Sequence, residues 1–133
     1  MRICAKDAIS TLRIEDALSG STLEIHYRLP TTEERQAVVN EQLRKEGGEV
    51  INDFIASRIK YGLRITTGFR AGDFGRMEDG KAVPMASDPR HEHYYADWKD
   101  ALAEGAGDVL LRLASHVFDS SVSLAKREVE EKN

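Results

Sequence analysis

The sequence predicts an α+β fold, in which a small antiparallel sheet packs against three or four helices. Apolar and polar residues alternate from Leu23 to Leu29, which is typical of a strand with one face in water. Apolar residues recur at three- and four-residue spacing from Val50 to Ile59 and from Trp98 to Val117, which is typical of amphipathic helices. Because the chain has 133 residues, we expect a single α+β domain over residues 1–120.

Composition and charge narrow the class of protein. A hydrophobic share of 41%, a charged share of 32% and a formal charge of −4 fit a globular protein without bulk attraction to nucleic acid. No apolar run approaches the roughly 20 residues of a membrane span, and no signal peptide is visible, so we expect a cytoplasmic protein that does not bind membrane. Cys4 is the only cysteine, which excludes an internal disulfide, and we expect it to be a small core residue.

The first half of the chain predicts strands followed by a helix. One strand or a pair of strands is expected within residues 2–14, and Ser19–Ser21 is predicted to be a turn before the alternating strand. Thr31 and Glu34 have the spacing of a capping box, which predicts a helix that runs to about Glu46. This helix is poor in apolar residues, so it is either a peripheral, solvated helix or a helix that projects from the domain to bind a partner.

The stretch from Val50 predicts a helix that leads directly into a strand. Gly62 stands where a left-handed helix cap is usually needed, and Leu63–Thr67 is β-branched and alternating. The irregular stretch 68–95 follows, and within it a hairpin turn is predicted at Asp79-Gly80. Glycines at 105 and 107 then predict a kink or two shorter helices. Residues 121–133 form a charged tail, either a frayed helix or disordered.

Candidate metal and cofactor sites are weak in this sequence. His91 and His93 form an H-x-H pair close to a proline. No third ligand follows at a spacing typical of metal sites, so a surface loop without metal is expected. The glycines of residues 68–76 lack the ending of a phosphate-binding loop and do not lead into a helix, so no cofactor is expected.

The same loop suggests an alternative, non-catalytic function. Arg64, Arg70 and Arg76, with Phe69 and Phe74 interleaved, are a weak indication of a small nucleic-acid-associated regulator. An enzyme is not expected, because no ordered Ser/His/Asp pattern is present. The carboxylate pairs at residues 33–34 and 130–131 are expected on exposed helical positions, where nothing shifts their pKa values toward acid–base catalysis.

Three stretches, taken in order, carry a resemblance to a known class of proteins. They are IHYRLPTTEER (25–35), RIKYGLRITTGFRAGDF (58–74) and YYADWKDALAEGAGDVLLRLASHVF (94–118). This order resembles small proteins from the tail modules of phages and prophages, of the tail assembly chaperone kind. The resemblance implies a non-enzymatic protein that binds the hydrophobic tape-measure protein or tail tube subunits in the host cytoplasm.

The sequence also supplies candidate contact residues for such a partner, provided that they are exposed. Trp98 and Leu102 lie on one predicted helix, and Phe69, Arg70 and Phe74 lie in the glycine-rich loop. The sequence leaves open whether the protein forms a homo-oligomer.

Overall fold

The computed structural model describes residues 1, 3–5 and 7–119, without the side chains of residues 43–46, 50 and 51. The predicted charged tail, residues 121–133, lies outside the described residues. Within the described part the chain has an α+β fold with four helices and small antiparallel sheets, as the sequence predicts. The elements, in chain order, are β1 (Ile9–Asp16), β2 (Ser21–Arg28), α1 (Thr32–Gln42), β3 (Leu43–Glu46), β4 (Glu49–Asn52), α2 (Phe54–Ile65), β5 (Thr66–Phe69), β6 (Gly75–Glu78), β7 (Lys81–Pro84), α3 (Trp98–Gly105) and α4 (Gly107–Phe118).

The main sheet has the strand order β1-β2-β5, with antiparallel neighbours. The predicted alternation of β2 is confirmed, because Leu23, Ile25 and Tyr27 are buried. The first strand, however, begins at Ile9 and continues to Asp16, beyond the predicted range 2–14. The Asp16 carboxylate explains where it ends, because it accepts the backbone N–H of Ser19 and so closes the turn into β2.

Helix α1 begins as predicted but ends earlier. Thr31 and Glu34 form the capping box, with Glu34 N–H donating to Thr31 Oγ1 at 3.2 Å and Thr31 N–H to Glu34 Oε1 at 2.9 Å. The helix stops at Gln42 rather than about Glu46. The next residues form the β3–β4 hairpin, because Gly47 and Gly48 both adopt positive φ, at 59° and 84°. Two such residues are what a tight hairpin turn requires.

Helix α2 begins and ends later in the sequence than predicted. Val50 and Ile51 lie in β4 and not on the helix, which begins only at Phe54. Gly62 does not cap the helix but lies inside it, against α4. The helix ends at Ile65, and the Thr66 hydroxyl donates to Gly62 O at 2.7 Å while the Thr66 N–H also turns back onto the last turn. The strand that follows is therefore β5 and not residues 63–67.

In the second half of the chain, a hairpin turn and a helix boundary lie where the sequence predicts them. Asp79 and Gly80 have φ values of 50° and 77° and form the turn of the β6–β7 hairpin, which confirms the hairpin prediction within the irregular stretch. The C-terminal helical pattern is divided at Ala106 into α3 and α4, as the two glycines predicted.

The core lies between the main sheet and the helices α2, α3 and α4. Helix α2 packs against α4, α1 and α3. Cys4 is exposed and is not part of this core, contrary to the sequence-based expectation. The core side chains are Leu23, Ile25, Tyr27, Ile65, Phe69, Met85, Trp98, Leu102, Ala106, Val109, Leu110, Leu113 and Val117.

Candidate functional site

Three of the five predicted contact residues are core residues. The exposed fractions of Phe69, Trp98 and Leu102 are 4%, 8% and 2%, so these side chains do not meet the condition of exposure on which their prediction rests. The ring of Phe69 stands edge-to-face with those of Phe74, with centroids 5.0 Å apart, and Trp98, at 5.7 Å. This aromatic group packs β5 against α3 and is part of the hydrophobic core. Phe74 is half-buried at its edge.

The three arginines of the alternative hypothesis each contact a different neighbour. Arg70 is exposed, and it donates to Thr22 O at 2.8 Å and to Asp73 Oδ2 at 3.1 Å. The guanidinium of Arg64 lies over the Tyr61 ring, 4.9 Å from its centroid.

The guanidinium of Arg76 lies over the Tyr95 ring at 4.5 Å and pairs with Glu78 at 3.2 Å. Each of the three arginines thus makes its own local contact, and nucleic-acid binding by them stays a prediction.

The histidines do not build a metal centre with other described residues. His91 and His93 are exposed, with ring centroids 5.6 Å apart, and the His93 N–H donates to His91 Nδ1 at 3.0 Å. Among the described residues, no group of three His, Cys, Asp or Glu side chains is placed to hold a metal ion. His26 on β2 is half-buried and contacts Glu24 Oε2 at 3.0 Å.

The most strongly perturbed carboxyl group belongs to a structural ion pair. Glu34 was predicted to be exposed, but it is buried. Arg28, at the end of β2, covers it and donates a hydrogen bond to each of its carboxylate oxygens. Hydrogen bonding to Arg28 is the largest of the causes that lower the pKa of Glu34 from 4.5 to about 2. Hydrogen bonds also lower the pKa values of Asp16, Glu24 and Glu41, through Ser19, His26 and Tyr61 respectively. These shifts keep the carboxylates charged, which is the opposite of what a general acid needs.

An exposed apolar surface is present at the start of α2. We define the α2 patch as Phe54, Ile55 and Ile59. The exposed fractions of Phe54 and Ile55 are 38% and 59%, and Ile59 is half-buried beside them. The patch lines a shallow concave surface of about 670 Å³ together with Asn52, Asp53 and Ala56. Large apolar side chains that share one surface are typical of protein contact sites.

The point at which the buried face of α2 ends explains why these side chains are exposed. The buried face of the helix consists of Ser57, Arg58, Tyr61, Gly62 and Ile65. Phe54 lies on the same side of the helix, one turn before Arg58 and beyond the end of that buried face, and Ile55 lies beside it.

Two contacts fix Phe54, one at its ring and one at its backbone N–H. The Arg58 guanidinium lies 4.3 Å from its centroid, and the Phe54 N–H donates to Asn52 Oδ1 at 2.9 Å. The Arg58 side chain is itself only 5% exposed, and it donates to Gln42 Oε1 at 3.0 Å. The patch therefore rests on a fixed support. Sequence reasoning detected its apolar spacing but assigned it to the core.

A second surface is the groove between the edge strand β1 and helix α4, which we call the β1 groove. It has a volume of about 1090 Å³. Leu12, Ile14 and Val109 form its apolar floor, and charged side chains stand along both of its walls. Those charged residues are Arg13, Glu15, Asp16, Asp108 and Arg112. Helical and strand periodicity located the elements that form the groove, but their relative position depends on the tertiary structure.

Comparisons with known proteins give no further assignment. No protein-family model, no curated protein and no solved structure matches this chain. In the part of the chain that the structure describes, none of the helices combines the length and the apolar character needed to cross a membrane.

Proposed function

We propose that this protein is a non-enzymatic binding protein that acts in the assembly of phage or prophage tails in the host cytoplasm. Its proposed partner is an apolar segment of a tape-measure or tail tube protein. The α2 patch is the proposed contact surface. The observation that carries the proposal is the exposure of Phe54 and Ile55 side by side in the first turn of a helix whose later turns are buried in the core.

The support beneath the patch favours binding over simple exposure. A side chain that already has its bound orientation loses less conformational entropy when a partner covers it. The Arg58 guanidinium lies against one face of the Phe54 ring and limits its rotation in the free protein, while the Asn52 side chain fixes the Phe54 backbone N–H. Fixed aromatic side chains at the centre of a contact are the kind of residue that dominates binding energy.

The partner class follows from the chemistry of the patch and from the resemblance. The patch is apolar, so a complementary segment is apolar as well, and the tape-measure protein is the hydrophobic partner that the resemblance implies. Burial of the exposed parts of Ile55 and Phe54 stabilises a complex in proportion to area, at about 25 cal/mol per Å². The charge of Asp53, which also lines this surface, then serves to orient the segment rather than to hold it.

Co-purification with separately tagged tape-measure and tail tube proteins tests the proposal. Ile55→Asp places a charge at the centre of the patch and should weaken retention at least tenfold, because covering a carboxylate with an apolar segment removes its hydration. Val39→Asp is the matched control, since Val39 is 61% exposed on α1 against 59% for Ile55 on α2. We expect this control to bind like the unchanged protein.

Two results would contradict the proposal. One is that neither tail protein is retained by the unchanged chain. The other is that Ile55→Asp and Val39→Asp weaken retention equally, which would place the contact outside the α2 patch. Circular dichroism of both variants establishes that each is folded before binding is compared.

A further inference from the structure

Strand β1 has an open edge in the main sheet. It is eight residues long and, among the described residues, pairs with β2 alone. In an antiparallel pair, alternate residues direct their N–H and C=O groups away from the neighbouring strand, so β1 presents a row of such groups on its other side. A strand edge of this length is a template for another strand unless something covers it. The β1 groove runs along this edge.

The side chains of β1 are complementary to a second copy of the same strand. Arg13 and Glu15 lie two residues apart on the exposed face, with Ile14 between them on the half-buried face. If two β1 strands pair antiparallel about Ile14, Arg13 of each copy lies opposite Glu15 of the other. Residues directly opposite in such a pair share a face and interact. The same register brings the two Ile14 side chains together at the floor of the groove.

The charges of Arg13 and Glu15 are accessible for such pairs. The Arg13 side chain is 73% exposed, although it contacts Glu24 Oε1 at 3.2 Å. Exposed ion pairs of this kind contribute little to stability, so Arg13 can exchange Glu24 for another carboxylate. Glu15 is exposed and makes no ion pair with any other residue in the described part of the chain. A second copy would supply the cation that Glu15 lacks.

Helix α4 extends the same complementarity. Asp108 and Arg112 line the β1 groove from α4, one helical turn apart and with opposite charge. The two-fold axis that relates antiparallel edge strands keeps both α4 helices on one face of the sheet and runs them in opposite directions. The direction from Asp108 to Arg112 on one α4 is therefore opposite to the same direction on the other α4.

We propose that two copies of this chain associate through their β1 edges, antiparallel about Ile14, so that the three strands of each main sheet form one sheet of six. This surface is separate from the α2 patch, and the dimer carries two such patches. The inference therefore does not depend on the proposed function, and either can fail alone.

Charge reversal tests the proposed pairing. Sedimentation equilibrium of the full chain, with a reductant because Cys4 is exposed, measures the dissociation constant of the dimer. Arg13→Glu and Glu15→Arg should each raise it by about tenfold, because each sets like charges opposite each other twice. Mixing the two single variants should restore a heterodimer, since every opposing pair is then of opposite charge. The double variant should restore the homodimer for the same reason. Glu104→Arg, a reversal at an exposed site on α3, is the control and should leave the constant unchanged.

Disulfide trapping tests the register in a Cys4→Ser background. Ile14→Cys places two thiols directly opposite each other and should form a cross-linked dimer on mild oxidation. Arg13→Cys places them two residues out of register, too far apart to bridge, and should remain uncross-linked. A monomeric unchanged protein at the highest concentration that stays in solution overturns the proposal. A dimer that is insensitive to both single reversals, or one that cross-links equally well from positions 13 and 14, also overturns it.

Discussion

Arg28 and Glu34 form a two-point ion pair that joins the end of β2 to the first turn of α1. Arg28 Nη1 and Nη2 lie 2.6 Å and 2.9 Å from the two carboxylate oxygens of Glu34. The same carboxylate accepts the Thr31 N–H, and Glu34 N–H donates back to the Thr31 hydroxyl. One buried side chain therefore caps the helix and connects it to the sheet.

The first prediction concerns the stability that this pair provides. Glu34→Gln keeps the shape of the side chain but removes the charge, and it leaves the guanidinium of Arg28 largely buried without a counter-ion. We expect a loss of about 3 kcal/mol in the free energy of unfolding, measured with urea. Glu33→Gln, at the exposed neighbouring position, is the matched control and should change stability by less than about 0.5 kcal/mol. Equal losses in the two variants would show that the ion pair has no special contribution.

The second prediction concerns acid. The pKa of Glu34 is lowered from 4.5 to about 2 in the folded protein, so the folded state favours the charged form. Its contribution is therefore fully present above pH 4.5 and is lost as the pH falls toward about 2. Because other lowered carboxyl pKa values give the unchanged protein its own acid sensitivity, the comparison is made against Glu34→Gln. The stability difference between the two proteins should shrink as the pH falls from 4.5, and a constant difference would contradict the assignment.

The third prediction concerns the contact between α2 and α4 at Gly62. A Cβ atom added at Gly62 would lie 2.5 Å from the backbone oxygen of Leu110, and backbone cannot move aside as a side chain can. Gly62→Ala should force the helices apart and lower the midpoint of thermal unfolding by several degrees, as expected for a loss of roughly 1–3 kcal/mol. Gly105→Ala, at the end of α3 with open space around it, should be neutral or slightly stabilising. The same effect from both changes would mean that helix propensity, and not the close contact, decides the outcome.

Gly62 also shows where sequence reasoning about the fold succeeded and where it did not. Alternation, the capping box and the Asp79-Gly80 turn depend on neighbouring residues, and each was predicted correctly. A glycine that follows an apolar stripe looks the same whether it caps a helix or admits a neighbouring one. Only the position of α4 distinguishes the two, and that position depends on contacts between residues far apart in sequence. The β3–β4 hairpin was missed because a pair of glycines also ends helices.

The candidate site was harder to predict than the fold, for a related reason. Phe69, Trp98 and Leu102 were identified from their size and apolar character, which core and contact residues share. Phe54 and Ile55 belong to the same apolar pattern, and their exposure depends on which turn of α2 meets α4. Periodicity shows that a helix has an apolar stripe, but it does not show where the neighbouring helix stops covering it.

The last prediction separates two roles within the loop after β5. The Asp73 carboxylate is 13% exposed and accepts the backbone N–H of Glu24 at 2.8 Å, which fastens the loop to β2. Asp73→Ala leaves that N–H without an acceptor, and we expect a loss of roughly 2 kcal/mol in the free energy of unfolding. Arg70 contacts the same carboxylate at 3.1 Å but is half exposed, so Arg70→Ala should cost less than about 1 kcal/mol. Urea unfolding of both variants measures the difference. If Arg70→Ala were the more damaging change, the Arg70 side chain, through its contacts with Asp73 and Thr22 O, rather than the N–H contact would be what fastens the loop to β2.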